Sequence, residues 1–206
     1  MFHWIYITNI DALANWDVSN VTNMGDMFRS NPNLANIDGA SNWDTSSVTD
    51  MDCMFCMTSS LTNIDGASGW NTSNVTKMSY MFYRAAGLIN VNGAIHWNTT
   101  NVTNMRYMFD ETDSLTNISG VANWNTSNVT NMQSMFARAI NLSNIDSLTN
   151  WDTTNVTNMN QMFYGDSSIT SLLPIDNWNV SNVTDMGGIF GNIPSTVTRP
   201  TWYDGT

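Results

Sequence analysis

Seven tryptophans recur at intervals of 27 residues along this chain of 206 residues. They are Trp16, Trp43, Trp70, Trp97, Trp124, Trp151 and Trp178. A fixed period of this order is typical of solenoids, in which each unit packs on its neighbours and no unit could bury its apolar side chains alone. The sequence therefore predicts one elongated body of stacked coils. Residues that hold the same position in successive units should touch one another.

Each unit is numbered here from its tryptophan as position 1. The pattern is W-[DN]-[TV]-[ST]-[NS]-V-T-x-M-x-x-[MI]-F, about five variable residues, then [LI]-x-[NS]-[ILV]. The spacing of positions 9, 12 and 13 predicts a short helical or 3-10 turn, with the Thr at position 7 and the Asn or Asp at position 8 as N-caps. The segments Thr-Ser-Asn-Val-Thr and Leu-Thr-Asn-Ile-Asp predict short extended strands. The predicted fold class is an α/β repeat solenoid, with two short strands and one short helical or 3-10 turn per coil.

The period also divides the chain. Residues 7–11 match residues 34–38 at the 27-residue offset, so residues 1–15 are predicted to form a partial N-terminal repeat. Residues 16–190 hold the seven units. Residues 191–206 depart from the pattern and are predicted to form a C-terminal cap or tail.

The repeated apolar positions predict the core. Trp, Val, two Met, Phe, Leu and Ile from each unit should stack into one continuous interior, with methionine filling irregular gaps between coils. The Thr at position 7 and the Asn at position 21 recur as polar ladders. Such ladders are expected to satisfy backbone groups at the corners of the coils.

Charge and hydropathy exclude several partners. The formal net charge is −11, with 17 acidic and 6 basic residues. Phosphate groups repel such a surface, which argues against nucleic acids and against anionic membranes. No apolar run approaches the roughly 18 residues of a membrane span, so membrane insertion is not expected. The first residues lack the basic region and cleavage site of a signal peptide.

The repeat resembles the BspA-like class of leucine-rich repeats. It is most similar to the tryptophan-starting variant W-[DN]-T-S-N-V-T-N-M-x-x-M-F, which is found in bacterial surface proteins and mycoplasma-type surface lipoproteins. The resemblance covers roughly residues 7–190. It implies a leucine-rich-repeat-like solenoid that is extracellular or displayed on a cell or particle surface and serves adhesion or protein binding. It implies no catalytic residues.

Positions 10, 11, 14 and 15 hold many of the scarce large polar side chains and should face outward. Stacking predicts that equal positions on successive coils form ladders, Tyr80 with Tyr107 at position 11, for example. Tyr and Arg dominate interface hot spots, and aromatic faces also suit sugars. The candidate binding residues, named below the Tyr/Arg strip, are Tyr80, Tyr83, Arg84, Arg106, Tyr107 and Arg138. The alternative is a surface ladder without a ligand, in which each pair contributes at most about 1 kcal/mol.

Two other roles follow from the pattern. If positions 3, 5 and 7 share one face of a strand, Thr72, Asn74 and Thr76 would begin a flat Thr/Asn array of the kind that can match an ice lattice. Uncovered ends of the solenoid could pair head to tail in a filament or virion fibre. Self-association at the ends is therefore an alternative to recognition of a protein or glycan.

Catalytic and metal chemistry is poorly represented. Cys53 and Cys56 form a single C-x-x-C, which lacks the further ligands that zinc requires. The two thiols could close a local disulfide in an oxidising compartment or stay free. The acidic run of Asp110, Glu111 and Asp113 is predicted to be a solvated loop rather than a calcium site. The chain has two histidines and no nucleophile, phosphate-loop or dinucleotide motif. We expect no enzyme activity, no cofactor and no bound metal.

Overall fold

The computed structural model describes residues 2–205. Met1, in the predicted partial repeat, and Thr206, in the predicted C-terminal segment, lie outside the described residues. The described chain contains seven 3-10 helices of three residues each, η1 to η7, one per 27-residue period. They are Asp11–Leu13, Asp38–Ala40, Asp65–Ala67, Asn92–Ala94, Ser119–Val121, Asp146–Leu148 and Leu173–Ile175.

Equal positions of successive units stack on one another. The ring centroids of Trp70 and Trp97 are 6.2 Å apart with nearly parallel planes. Those of Phe82 and Phe109 are 5.5 Å apart. The predicted apolar positions form one continuous core along the chain. The prediction of a repeat solenoid is confirmed.

Each stacked tryptophan also donates a hydrogen bond between coils. The Nε1 of Trp70 donates to the carbonyl oxygen of Ala40 at 3.0 Å, thirty residues upstream. The same bond recurs for the other stacked indoles from Trp43 to Trp178. The buried indole thus adds apolar area to the core and satisfies its own polar group. At the C-terminal end, Trp202 donates to Ile175 at 2.9 Å and covers the last coil in a similar way.

The predicted short helical or 3-10 turn occurs once per coil, but its predicted place at positions 9 to 13 is wrong. That segment is a run of tight turns, in which Met54 N donates to Met51 O and Cys56 N donates to Cys53 O. Positions 11 and 15 have positive φ, as at Cys53 (56°) and Met57 (59°). Residues in the left-handed region cannot continue a right-handed helix.

The reason for these turns is the hydrogen bonding between coils. Backbone N–H groups at positions 9, 11, 13 and 15 donate to carbonyls of the next coil, as Phe55 does to Met81 at 2.9 Å. A helix would use the same N–H groups within one coil and leave the stacking surface without them.

The two predicted strands are also wrong. Residues 2–205 contain no strand, only isolated parallel bridges between coils, such as those of Lys77 with Asp50 and with Asn104. The Thr-Ser-Asn-Val-Thr segment closes a turn instead, because Val75 N donates to Thr72 O at 3.0 Å. The leucine-rich-repeat detail of the fold is therefore unsupported.

The one 3-10 helix of each coil lies at positions 23 to 25, after the recurrent Asn at position 21. The Oδ1 of Asn63, for example, accepts a hydrogen bond from Asp65 N at 3.0 Å. This Asx turn is the corner role expected of the Asn ladder. Gly93, inside η4, sits directly over the preceding coil, and a Cβ there would lie 2.2 Å from the Ile64 carbonyl oxygen. Within residues 2–205, no helix is long and apolar enough to cross a membrane.

Candidate binding strip

The tight turns at positions 9 to 16 present the variable side chains of each coil. Because the coils stack in register, positions 10, 11, 14 and 15 align along one side of the solenoid. The predicted outward orientation is wrong at position 14 for Cys56, Asp110 and Ala137, which are buried.

The structure links all six residues of the Tyr/Arg strip through direct contacts or through Glu111. Arg138 and Arg84 both pair with Glu111, and Arg84 also lies over the ring of Tyr83. Tyr83 contacts Tyr80, and Tyr80 in turn contacts both Tyr107 and Arg106.

The three tyrosines form the centre of the strip. Tyr80 and Tyr107 stack with ring centroids 4.7 Å apart and planes within 3°. Tyr83 meets Tyr80 edge-on at 5.7 Å. Burial raises the pKa of the Tyr80 and Tyr83 phenols, so both remain neutral hydrogen-bonding groups at physiological pH. All three side chains are partly exposed, and they offer rigid aromatic surface with a polar tip.

Arg106 differs from the other basic residues. Within residues 2–205, its guanidinium has neither an ion pair nor a hydrogen bond, whereas the other five basic side chains all have one or the other. It lies over the ring of Tyr80, with Cζ 5.3 Å from the centroid. An exposed, unpaired guanidinium held against an aromatic ring can still donate to a ligand.

Two further arginines are already engaged with acids. Arg84 binds Glu111 through two hydrogen bonds, of 2.7 and 3.2 Å. Arg138 reaches Glu111 at 3.1 Å and Asp110 at 2.8 Å. This pairing agrees with the ladder alternative for Arg84 and Arg138. The exposed pairs of this network contribute little stability, about 1 kcal/mol or less each.

Asp110 is a residue of this network that sequence reasoning missed. The predicted solvated loop is wrong at this position, because Asp110 is only 1% exposed. Burial raises its pKa to about 7, and Arg138 opposes that rise. Asp166, two coils further on, is fully buried, and burial raises its pKa well above the usual value. Asp166 holds position 16, which is buried in every unit, so its burial follows the repeat. Asp110 holds position 14, where Tyr83 and Tyr164 are partly exposed, so its burial could not be predicted from the pattern.

The Thr array expected at positions 3, 5 and 7 is not an exposed face. Thr72 is buried and its Oγ1 donates to Asn98 O on the next coil at 3.0 Å. Thr99 repeats this arrangement. Asn74 and Thr76 are exposed, and their side chains donate to carbonyls of the preceding coil. The array is therefore two residues wide and its polar groups are largely used between coils.

Cys53 and Cys56 form a disulfide, one of the two states that the C-x-x-C allows. Among residues 2–205, no group of three or more His, Cys, Asp or Glu side chains is arranged to hold a metal ion. The disulfide lies on the same side of the solenoid as the Tyr/Arg strip, one coil before Tyr80.

Comparison with known proteins gives a family match. Residues 1–118 and 88–201 match the family described as Mycoplasma protein of unknown function, DUF285. This agrees with the mycoplasma-type repeat to which the motif is similar, while the BspA-like assignment stays a prediction. No curated protein and no solved structure gave a match.

Proposed function

We propose a recognition role for this chain, which belongs to the DUF285 family of Mycoplasma proteins of unknown function. The chain is a non-enzymatic module, displayed on a surface, that binds a protein or glycan through the Tyr/Arg strip. The BspA-like assignment, with its adhesive role, is part of the same proposal. The Cys53–Cys56 disulfide supports an extracytoplasmic location, since disulfides persist in oxidising compartments.

The observation that carries this proposal is the unpaired Arg106 against the stacked Tyr80 and Tyr107. The ladder alternative accounts for Arg84 and Arg138, which have acidic partners, but leaves Arg106 without one. Aromatic and arginine side chains that are already ordered lose little conformational entropy when a ligand binds.

The test is the double variant Arg106→Ala/Tyr107→Ala. Labelled protein is applied to a glycan microarray and to a panel of immobilised extracellular-matrix proteins. Loss of two hot-spot side chains should weaken binding by tenfold or more, since about 1.4 kcal/mol corresponds to a factor of ten. The matched control is Lys77→Ala/Tyr164→Ala, which removes the same charge and the same ring outside the cluster. Equal binding by the test variant and the wild type would refute the proposal.

A second candidate function is structural. Trp16 is 39% exposed, whereas the six tryptophans stacked above it are 2–4% exposed. Trp16 and the apolar residues Val18, Val21, Met24 and Met27 line a cavity of about 250 Å³ at this end of the solenoid. Such an end could receive another chain in a filament or fibre. Sedimentation velocity and electron microscopy at high concentration distinguish the two, because a monodisperse monomer excludes the filament.

A further inference from the structure

A depression of about 290 Å³ lies at one end of the Tyr/Arg strip, over the first three units. It combines an aromatic wall, a small apolar floor and an ion pair. Its lining residues are Asp26, Arg29, Cys53, Met57, Tyr80 and Tyr83.

The depression exists because the position-11 ladder is interrupted. Tyr107 covers one face of the Tyr80 ring at 4.7 Å. On the other side, the same position of unit two holds Cys53, whose side chain is small and tied to Cys56. The next position-11 residue, Asp26, pairs with Arg29. Within residues 2–205, Tyr107 is the one ring stacked on Tyr80, and Tyr80 itself lines the depression.

The far side of the depression is polar and electrically balanced. Arg29 Nη1 lies 3.1 Å from Asp26 Oδ1, and the two side chains are 41% and 57% exposed. The pair offers guanidinium donors and carboxylate acceptors side by side, with no net charge. Sugar hydroxyl groups can both accept and donate, so adjacent hydroxyls suit such a pair.

We propose that the depression binds one pyranose residue of a neutral glycan. The apolar face of the sugar ring stacks on Tyr80 on the side away from Tyr107, in the place that a tyrosine at position 11 of unit two would occupy. Its hydroxyl groups bind Asp26 and Arg29. This inference rests on the proposed recognition function and names glycan, rather than protein, as the ligand class.

The polar side of the site argues for a sugar over an aromatic protein side chain. An apolar ring in the depression would remove water from the Asp26–Arg29 pair without replacing its hydrogen bonds, which is costly. A pyranose ring places apolar C–H groups and hydroxyl groups on one rigid body. It can therefore satisfy the aromatic wall and the ion pair at the same time.

The test fills the depression with a tyrosine side chain introduced at position 11 of unit two. Cys53→Tyr/Cys56→Ser supplies the missing rung, and Cys53→Ser/Cys56→Ser is the matched control that keeps the depression open. The tyrosine is compatible with this backbone, because Tyr80 and Tyr107 occupy the same position with φ of 59° and 56°, against 56° at Cys53. Tyr80→Ser is a second variant that removes the wall, and Ser134 shows that the position also accepts serine.

The probes are the methyl glycosides of glucose, galactose, mannose and N-acetylglucosamine, followed by saturation-transfer NMR. At least one should bind wild type and the open control with similar affinity, and binding should fall at least tenfold in Cys53→Tyr/Cys56→Ser and in Tyr80→Ser. Failure of all four glycosides to bind the wild type overturns the proposal. The proposal is also overturned if a glycoside binds Cys53→Tyr/Cys56→Ser as tightly as it binds the wild type. Binding of N-acetyl-tyrosinamide but of no glycoside would overturn it as well.

These outcomes are separable from the recognition function. Cys53→Tyr/Cys56→Ser could bind the microarray and the protein panel like the wild type while Arg106→Ala/Tyr107→Ala does not. In that case the Tyr/Arg strip binds its ligand outside the depression, and only the sugar proposal is refuted. If neither variant changes binding, the recognition function fails as well.

Discussion

The close approach of coils at Gly93 allows one stability prediction to be worked out in detail. Gly93→Ala would place a Cβ 2.2 Å from the Ile64 carbonyl oxygen and 2.7 Å from its carbon, whereas real Cβ atoms almost never approach within 3.0 Å. Both atoms of Ile64 are backbone, so the coils must separate locally by about 0.8 Å or the 3-10 helix must distort. A gap of that size removes a quarter to a half of the dispersion energy of the contacts it opens.

The expected cost follows from these contacts. Overpacking of this kind typically costs about 1–3 kcal/mol. Replacing glycine by alanine offsets about 0.4–1 kcal/mol of this, because the unfolded chain becomes less flexible. The difference is about 0–2.6 kcal/mol. We therefore expect Gly93→Ala to lower the free energy of unfolding by the central value of about 1.3 kcal/mol, which for a chain of this size lowers Tm by about 3–5 °C.

Gly69→Ala is the matched control, and its predicted effect has the opposite sign. The added Cβ there meets the Ser41 carbonyl oxygen at 3.6 Å, an ordinary contact, and the glycine does not have positive φ. This variant should be unchanged or more stable by up to about 1 kcal/mol. Urea unfolding followed by tryptophan fluorescence and circular dichroism measures both variants. If Gly93→Ala is as stable as Gly69→Ala, the close stacking at η4 is wrong.

Three further predictions concern the core, the buried acid and the disulfide. Trp97→Phe should lower the free energy of unfolding by about 1–3 kcal/mol, since the indole donor and part of the stacked area are lost, and urea unfolding measures this. The pKa of Asp110 is about 7 in the folded chain against 3.8 in the unfolded chain, so the folded chain binds more protons between pH 4 and 7. Its stability should therefore fall as the pH rises through that window. Asp110→Asn should flatten the profile of Tm against pH, and an unchanged profile would contradict the burial of Asp110. Cys53→Ser/Cys56→Ser should lower the free energy of unfolding by about 2 kcal/mol at most, because the disulfide closes a very short loop. Urea unfolding measures this, and a larger decrease would show that the disulfide organises the turn.

The sequence predicted the stacking because a strict period constrains which residues touch. Trp70 and Trp97, placed together by the 27-residue offset, are stacked in the structure. The same reasoning brought Tyr80 next to Tyr107. Contacts between equal positions need no knowledge of the backbone path within a coil, so they follow from the period alone.

The backbone path within each coil could not be predicted in the same way. Apolar spacing at positions 9, 12 and 13 is compatible with a helix, but consecutive tight turns bury the same residues. The turns require positive φ at positions 11 and 15, where Tyr80 and Arg84 give no indication of it. The available signal lay in the later units, in which Gly165 holds position 15 and Gly188 holds position 11, both with positive φ.

The depression and the burial of Asp110 were missed for a different reason. The depression depends on an exception in a ladder, because the small side chain of Cys53 leaves space beside Tyr80. Asp110 is buried at position 14, where Tyr83 and Tyr164 are partly exposed. Such features follow from non-repeating residues, and they become visible only after the register is known.

The register of adjacent coils is tested most directly by disulfide crosslinking at position 7. In the Cys53→Ser/Cys56→Ser background, Thr103→Cys/Thr130→Cys places two thiols on neighbouring coils, where Thr130 N donates to Thr103 O at 2.9 Å. That bond brings the two Cα atoms within the range of roughly 4.4–6.8 Å that a disulfide spans. Thr103→Cys/Thr157→Cys separates the thiols by two coils and is the control. Stacked coils predict rapid, intramolecular oxidation of the first pair, measured by thiol titration and peptide mass spectrometry, and none of the second. Equal oxidation of both pairs, or of neither, would contradict the stacked architecture on which the Tyr/Arg strip depends.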